Sequence, residues 1–535
     1  MAEQPLAAVP EVAPEALAEL RRELGPERVL TDPQSLDLYG QDVSGDSHPA
    51  LLVVRPKDTA QLAAAVRFAV AQDLVLVPRG GGMSYSGGYV CHQPNVLTLD
   101  LGDMNQVLEI NTEDMYVTVQ AGCTWMALHE ALEPQGVRTP FWGTLSGITA
   151  TVGGGMSQNS IFWGSGKHGS AVDSAVSMDV VLASGEVLST GAGGQAQANP
   201  FFRHYGPDLT GLFTCDTGAL GIKATVTLKL VPILPGRAFV SADFAEGPAL
   251  IAALSEVSRN RLADACFGFD PVMQGQRMKR ESLAKDVKAL GNVMKSQGSM
   301  LKGLKEGAKV ALAGRGFMKD VDYSVHFMVE EPTQAGADAS AARIREIVAA
   351  HRGKDIENSI PKIARANPFG PLNSMIGPAG ERWLPVHVLV PHSKAADVFA
   401  QLEALVEANR SVLDAHDILV GYLLTYIDTN AFVIEPVFYW PDALNDLHRA
   451  HVEDATLAKI NDYPENLPAR AEVMRLRTEM MTMFREAGGA HLQIGRRYQY
   501  QEGLRPENAQ FIGELKALLD PDGRINPGSL GLAAG

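Results

Sequence analysis

The residues best suited to chemistry lie in glycine-rich loops. Val75-Leu76-Val77-Pro78-Arg79-Gly80-Gly81-Gly82-Met83-Ser84-Tyr85-Ser86-Gly87-Gly88 joins an apolar strand to a loop with five glycines, and a second apolar strand, Val96 to Asp100, follows soon after. Glycine lets successive backbone N–H groups converge on one point with no Cβ in the way, and such a concave nest can hold a pyrophosphate. A dinucleotide-binding Rossmann turn needs a helix directly behind the glycines, and a P-loop needs Gly-Lys followed by Ser or Thr. Here a strand follows the loop, and the Gly166-Lys167 pair precedes His168. Taken alone, the segment also reads as an ordinary hairpin loop.

Two further loops accompany it. Gly147 to Ser160, which follows directly on Ser146, sets Gly153, Gly154 and Gly155 among Thr151, Ser157 and Asn159, and such short side chains can donate to a ligand's oxygens. It leads through Trp163-Gly164-Ser165-Gly166-Lys167-His168-Gly169 to an apolar strand, Val176 to Leu182. The third, Cys215-Asp216-Thr217-Gly218-Ala219-Leu220-Gly221-Ile222, runs into the alternating strand Thr225 to Leu230. Either later loop alone reads as a turn. Three on one ordered scaffold point to a ligand site.

In this order and spacing the three segments resemble the FAD-binding domain of the vanillyl-alcohol oxidase and p-cresol methylhydroxylase superfamily, especially its glycolate oxidase and D-lactate dehydrogenase branch. The ending Leu518-Leu519-Asp520-Pro521-Asp522-Gly523-Arg524-Ile525-Asn526-Pro527-Gly528 is similar to that branch as well. The resemblance covers roughly residues 25–235 and 485–532. It implies an α+β fold, a two-lobed FAD-binding domain of the vanillyl-alcohol oxidase type plus a cap domain with an antiparallel sheet. It also implies FAD contacts at Arg79, Gly80, Gly81, Gly82, Met83, Ser84, Gly87, Gly88, Ser146, Thr151, Gly153, Gly154, Ser157, Asn159, Gly218, Gly221 and Ile222. Some members of the superfamily attach FAD through a histidine just after the glycine triplet. Met83 stands there in this chain, and non-covalent FAD is expected unless another residue such as His491 makes the bond.

A flavin accepts hydride, so the protein must hold a substrate C–H bond over it and supply a base or anchor for the neighbouring oxygen. The hydroxy-acid branch usually carries a glycine-aspartate-glycine-asparagine tract flanked by histidines on a cap strand, and later a glycine-glutamate-histidine-glycine tract. This chain reads Gly421 to Phe432 and Gly488 to Tyr498 in those regions, without either motif. No metal site is expected, because the histidine cluster that would ligate a divalent ion is missing. Tyrosines and arginines there resemble, loosely, the phenol-oxidising branch, whose side chains stabilise a phenolate. Arg496 or Arg497 is therefore expected as anion anchor, Tyr498 and Tyr426 as hydrogen-bonding partners, and His491 as a base; His387 is expected to be structural.

These loops need strands and helices to hold them. Leu51 to Val54 reads as a strand, and Asp58 can cap a helix that places Leu62, Val66 and Ala69 on one face, with Gln61 set for a capping box. The prolines at 232 and 235 mark a boundary, giving an FAD-binding domain over residues 1–235, a cap or substrate domain over 236–484 and a return to the FAD domain over 485–535. In the cap, strands are predicted at Ala238 to Ala242, Val321 to Val329, Leu384 to Val390 and Ile418 to Tyr426. Pro506 can begin a helix with Phe511, Leu515 and Leu518 on one face.

The 535 residues are 46% hydrophobic, enough for two or three domains, and the net charge of −16 disfavours nucleic acid as a partner. The four cysteines form no CxxC pair, and the Ala-, Pro- and Glu-rich start has neither a basic region nor an apolar core, so a cytoplasmic protein is expected. Residues 277–319 reverse the charge, with eleven Lys or Arg against three acids. This basic amphipathic insertion reads as a solvated helical segment, with contact to an anionic membrane or an acidic electron acceptor as the alternative. The expected activity is FAD-linked removal of hydride from an alcohol or para-substituted phenol, with oxygen, a quinone or a cytochrome as electron acceptor and a homo-oligomeric state. The alternatives are a D-2-hydroxy acid dehydrogenase and a partner-binding electron-transfer flavoprotein subunit.

Overall fold

Asp58 begins the first long helix of the amino-terminal lobe, Thr59–Ala71, as its position before Thr59 dictates: its carboxylate accepts the Gln61 N–H at 2.9 Å, and Gln61 reaches back to the Lys57 N–H at 3.2 Å. Leu62, Val66 and Ala69 are buried on its inner face. The structure, a computed structural model, describes residues 12–280 and 321–532. Residues 281–319 of the basic insertion lie outside the described residues.

The helix connects strands of a four-stranded sheet. Val29–Leu30 pairs antiparallel with Leu52–Val54, and Leu52–Val54 and Val75–Arg79 both run parallel to Val96–Asp100. Parallel neighbours need a crossover rather than a tight turn. Between Val75–Arg79 and Val96–Asp100 the glycine loop, residues 80–95, is that crossover, so it lies beyond the carboxyl ends of buried strands instead of capping a hairpin. A five-stranded antiparallel sheet follows, ordered Val187–Ser189, Ala175–Val181, Ile222–Lys229, Tyr116–Gln120, Val107–Asn111.

The cap is an eight-stranded antiparallel sheet among the described residues. Gly236–Phe244, Tyr323–Glu331, Ala265–Phe269, Leu419–Ile427 and Ala431–Trp440 are successive neighbours, and Lys354–Ile356 closes one edge. The predicted strand Leu384 to Val390 is two strands, Arg382–Pro385 and Val388–Val390, both paired to Ala431–Trp440. The break falls at His387, whose N–H donates to the Tyr498 hydroxyl at 3.0 Å instead of to the sheet.

The carboxyl-terminal segment returns to the first lobe beside Leu76: the Leu76 N–H donates to Arg524 O at 2.8 Å and the Asn526 N–H to Leu76 O at 2.7 Å. Asn526 then donates its side-chain amide to Gly88 O at 2.8 Å and Thr217 O at 2.7 Å, tying the first glycine loop to the third. The helix Pro506–Leu519 buries only part of the expected face, through Leu515, which packs against the core of the five-stranded sheet. Phe511 and Leu518 are 62% and 76% exposed, and Lys516 is turned inward instead. Its ammonium donates to Ala219 O, Ile525 O and the Asp520 carboxylate, which supply the partners a buried cation needs.

A buried ion cluster joins lobe and cap. Arg138 lies 3.3 Å from Glu330 and Lys167 3.2 Å from Asp264, while Arg365 reaches Glu330 at 2.9 Å. Burial pushes Glu330 up, but Arg365, Arg138 and Arg237 outweigh it and hold the carboxyl at about 2. For Asp264 burial prevails over Lys167 and raises the carboxyl to about 6. No described helix is long and apolar enough to cross a membrane.

Candidate active site

The glycine loop turns its backbone donors toward a cleft. Tyr89 places its hydroxyl 2.5 Å from Gly82 O and 3.0 Å from Ser84 O, which fixes the carbonyls on one side. The N–H groups of Gly81, Gly82, Met83 and Ser84 meet no acceptor among the described residues. Glycine is required here. A Cβ on Gly81 would sit 2.0 Å from Thr149 O, and Gly82 has φ +67°. Arg79 adds positive charge, its guanidinium held 4.7 Å from the Tyr39 ring and 5.0 Å from the Tyr89 ring.

The second tract forms the helix Val152–Gln158, whose N-cap Thr151 accepts the Gly154 N–H at 3.2 Å. The third loop is fixed by Asp216, which accepts the Gly218 N–H at 2.9 Å and pairs with the buried ammonium of Lys223. Burial lowers the Lys223 pKa, and Asp216 opposes that shift.

All three loops line one cleft of about 1920 Å³, its open mouth included. Arg79, Gly80, Gly81, Gly82, Met83, Ser84, Gly88, Ser146, Thr151, Gly153, Gly154, Ser157, Gly218, Gly221 and Ile222 are on its wall. Gly87 and Asn159 are not. The Gly87 N–H is taken by Asp42 at 2.9 Å, and Asn159 turns the chain at the end of the short helix with φ +53°.

The far wall is the cap sheet. Side chains alternate between the faces of a strand, and in the hairpin Leu419–Ile427 and Ala431–Trp440 the register sets Leu423 opposite Glu435 and Thr425 opposite Val433. Leu423, Thr425, Glu435 and Tyr439 face the cleft, joined by Met273, Gln276 and Arg277 from the helix Pro271–Arg280. Leu372, Met375, Trp383, Tyr85 and Gln493 complete this end. The Tyr85 ring meets Trp383 edge-on at 5.7 Å, and the Tyr439 hydroxyl donates to Met273 Sδ at 3.1 Å. Arg277 lies 4.5 Å from the Phe269 ring. The Glu435 carboxyl opens into the cleft but is enclosed by protein. Burial raises its pKa to about 7, and Arg277 opposes the rise.

None of the five expected catalytic side chains lines this cleft. Tyr426 has the parity of Tyr422 and Leu424, so it points into the core behind the sheet, its hydroxyl 3.5 Å from Ala263 O. Tyr498 is buried against His387, with its hydroxyl 2.9 Å from Nδ1, and His491 holds His387 O at 2.9 Å. Burial keeps His387 neutral, its pKa lowered to about 3. Arg496 donates to the carbonyls of Gly87, Val90 and Pro527 and to the Asn526 side chain, a brace between the first loop and the carboxyl-terminal return. Arg497 is exposed.

Sequence reasoning missed Tyr85, Lys223, Thr425, Glu435 and Tyr439. One signal was available for Glu435: it is the lone charge in the strand Ala-Phe-Val-Ile-Glu-Pro-Val-Phe-Tyr-Trp, residues 431–440. Among the described residues no three His, Cys, Asp or Glu side chains group as metal ligands.

The donor set fits a dinucleotide: free amides and a guanidinium at one end, a glycine-walled channel a Cβ would fill, and the buried Gln158 Oε1 on the wall without a hydrogen-bond partner among the described residues. Residues 50–191 match the FAD binding domain family. The glycolate oxidase subunit GlcD of Bacillus subtilis (strain 168) is 33% identical over 180 residues, 34% of this chain and 37% of that protein. D-2-hydroxyglutarate dehydrogenase of Xanthomonas citri pv. viticola is 31% identical over 205 residues, 38% of this chain and 42% of that protein. The chain spans less than half the length of these curated relatives. The solved structure of p-cresol methylhydroxylase with substrate bound has a TM-score of 0.71 at 16% identity, covering 97% of this chain and 96% of that one. Cofactor and fold follow: this chain carries an FAD-binding domain, its cofactor is FAD, and its architecture is of the vanillyl-alcohol oxidase type.

Proposed function

For an FAD-binding chain of this fold, we propose an oxidoreductase that removes hydride from an alcohol or a para-substituted phenol. One observation carries the reading: the open amides of Gly81 to Ser84 and the apolar, hydroxyl- and carboxyl-bearing face of the cap sheet line the same cleft. Bound FAD supplies the hydride acceptor. The chain's own residues do the rest. The loop amides and Arg79 hold the pyrophosphate, and Lys223 and Thr217 line the channel near Gly218. Leu372, Met375, Trp383 and Leu423 enclose an apolar substrate body and exclude water, while Tyr85 and Glu435 offer hydrogen bonds to its oxygen. Met83 on the first loop is a thioether, and FAD is bound non-covalently in this reading. Trichloroacetic acid would then leave the pellet colourless.

Anaerobic addition of alcohols and para-alkyl phenols to the yellow holoprotein tests the activity. Bleaching of the flavin bands by one of them is the expected result. No bleaching by any member would favour a subunit that binds partners or carries electrons. A second reading, oxidation of a D-2-hydroxy acid, is favoured by Arg277 in the cleft, a cation suited to a substrate carboxylate, and by the names of the two sequence relatives. Bleaching by 2-hydroxy acids alone, with loss of their binding in Arg277→Met, would select it.

A further inference from the structure

Resting on the oxidoreductase reading, we infer that Glu435 is the catalytic base that takes the hydroxyl proton of the substrate, with Tyr85 as the hydrogen-bonding partner that fixes the same oxygen. The geometry assigns this role by position. Glu435 is the one carboxyl on the cleft wall among the described residues, on the strand face shared with Tyr439 and opposite Leu423. No hydrogen bond or ion pair among the described residues engages its carboxylate, whereas the buried carboxylates of Asp216, Asp264, Asp270 and Glu330 are each held by ion pairs or backbone N–H groups. The side chain is half-buried at the cleft wall, so its carboxylate is left open to pair with a group that enters the cleft.

The surroundings set its protonation. Arg277 on the helix Pro271–Arg280 and Tyr85 on the glycine loop share the cleft wall with it, and Tyr498, held by His387 behind that wall, is near enough to feel its charge. Burial keeps both tyrosines neutral by raising their pKa. The Arg277 cation favours the carboxylate but does not cancel desolvation, which leaves Glu435 near 7, where a general base works best at neutral pH. In the proposed step the substrate O–H bond breaks and its proton passes to Glu435. The C–H bond breaks with its electron pair passing to FAD, and the carbonyl forms between the same carbon and oxygen. For a phenol the hydride leaves from the para side chain and the product is a quinone methide.

Glu435→Gln and Glu435→Asp holoproteins test the assignment, with flavin content first checked by absorbance. In wild type the anaerobic bleaching rate with a substrate from the panel rises with pH through about 7, because the carboxylate is the active form. Glu435→Gln is expected to lose that inflection and to slow bleaching by about 10²–10⁴-fold, and Glu435→Asp to restore part of the rate with a shifted inflection. A Glu435→Gln rate within about threefold of wild type, with the inflection unchanged, would overturn the role. If no compound bleaches wild type, the oxidoreductase reading fails separately, and the resting flavin spectrum then judges Glu435. A transition near pH 7 that disappears in Glu435→Gln supports a titrating carboxyl in the flavin cleft, and identical titrations of both proteins overturn it.

Discussion

At the glycine loop the cleft presents main-chain N–H groups, whereas at the cap it presents side chains from alternating strand positions. The two ends respond to different errors. The amide end depends on the path of the backbone, so it fails when a Cβ is added and is indifferent to most neighbouring side chains. The cap end depends on parity: Thr425 and Tyr426 are adjacent in sequence and lie on opposite faces of the sheet. A site made of main chain is therefore announced by composition, and a site made of strand faces only by register.

The contact between the two ends is the first way to break the comparison. Glu330→Gln removes the carboxylate shared by Arg138, Arg237 and Arg365 and should cost about 3–5 kcal/mol, read by urea denaturation. The folded carboxyl is depressed from 4.5 to about 2. Its contribution is thus present above about pH 4.5 and lost as the pH falls toward 2, and the variant should lose that acid dependence.

Gly81→Ala attacks the amide end alone. With its Cβ 2.0 Å from Thr149 O, the loop must shift at a cost of about 1–3 kcal/mol. If that strain falls on the bound state, FAD affinity should drop about 5- to 150-fold, measured by titration of apoprotein, with less effect on overall unfolding.

The cap end is sharpened by a pair of tyrosines. Tyr85→Phe removes a hydroxyl on the cleft wall and should slow bleaching about 2- to 10-fold, the worth of one hydrogen bond. Tyr426→Phe removes one that points into the core and should leave bleaching within about twofold. A loss in Tyr426→Phe as large as in Tyr85→Phe would mean that Tyr426 meets the substrate and that the face assigned to it on Leu419–Ile427 is wrong.

Asp264→Asn gives the smallest effect and the opposite pH sign. Burial raises this carboxyl from 3.8 to about 6, so wild-type stability falls as the pH rises across that interval. Thermal unfolding between about pH 4 and 6 should lose this decline in the asparagine variant.

The legible parts of the molecule share a local cause. Asp58 and Gln61 form the capping box their spacing predicts, and Val96–Asp100 is the strand its apolar run predicts. The illegible parts were settled by partners that only the folded chain brings to them. Arg496 and Tyr498 carry the residue types expected of an anion site, yet Asn526 and His387 claim them for bracing. Pro506–Leu519 has an apolar stripe at helical spacing, but the Ala219 and Ile525 carbonyls with the Asp520 carboxylate make Lys516 the better residue to bury.

The sequence by itself determined where main-chain donors would converge, because glycine spacing between two strands restricts the backbone however the rest folds. The tertiary structure alone decided which side chains meet the ligand. The return of Asn526 ties together loops that lie hundreds of residues from it, and the crossover of the glycine loop and the register that turns Glu435 inward and Tyr426 away are set by strand pairing, where a one-residue change would exchange the faces.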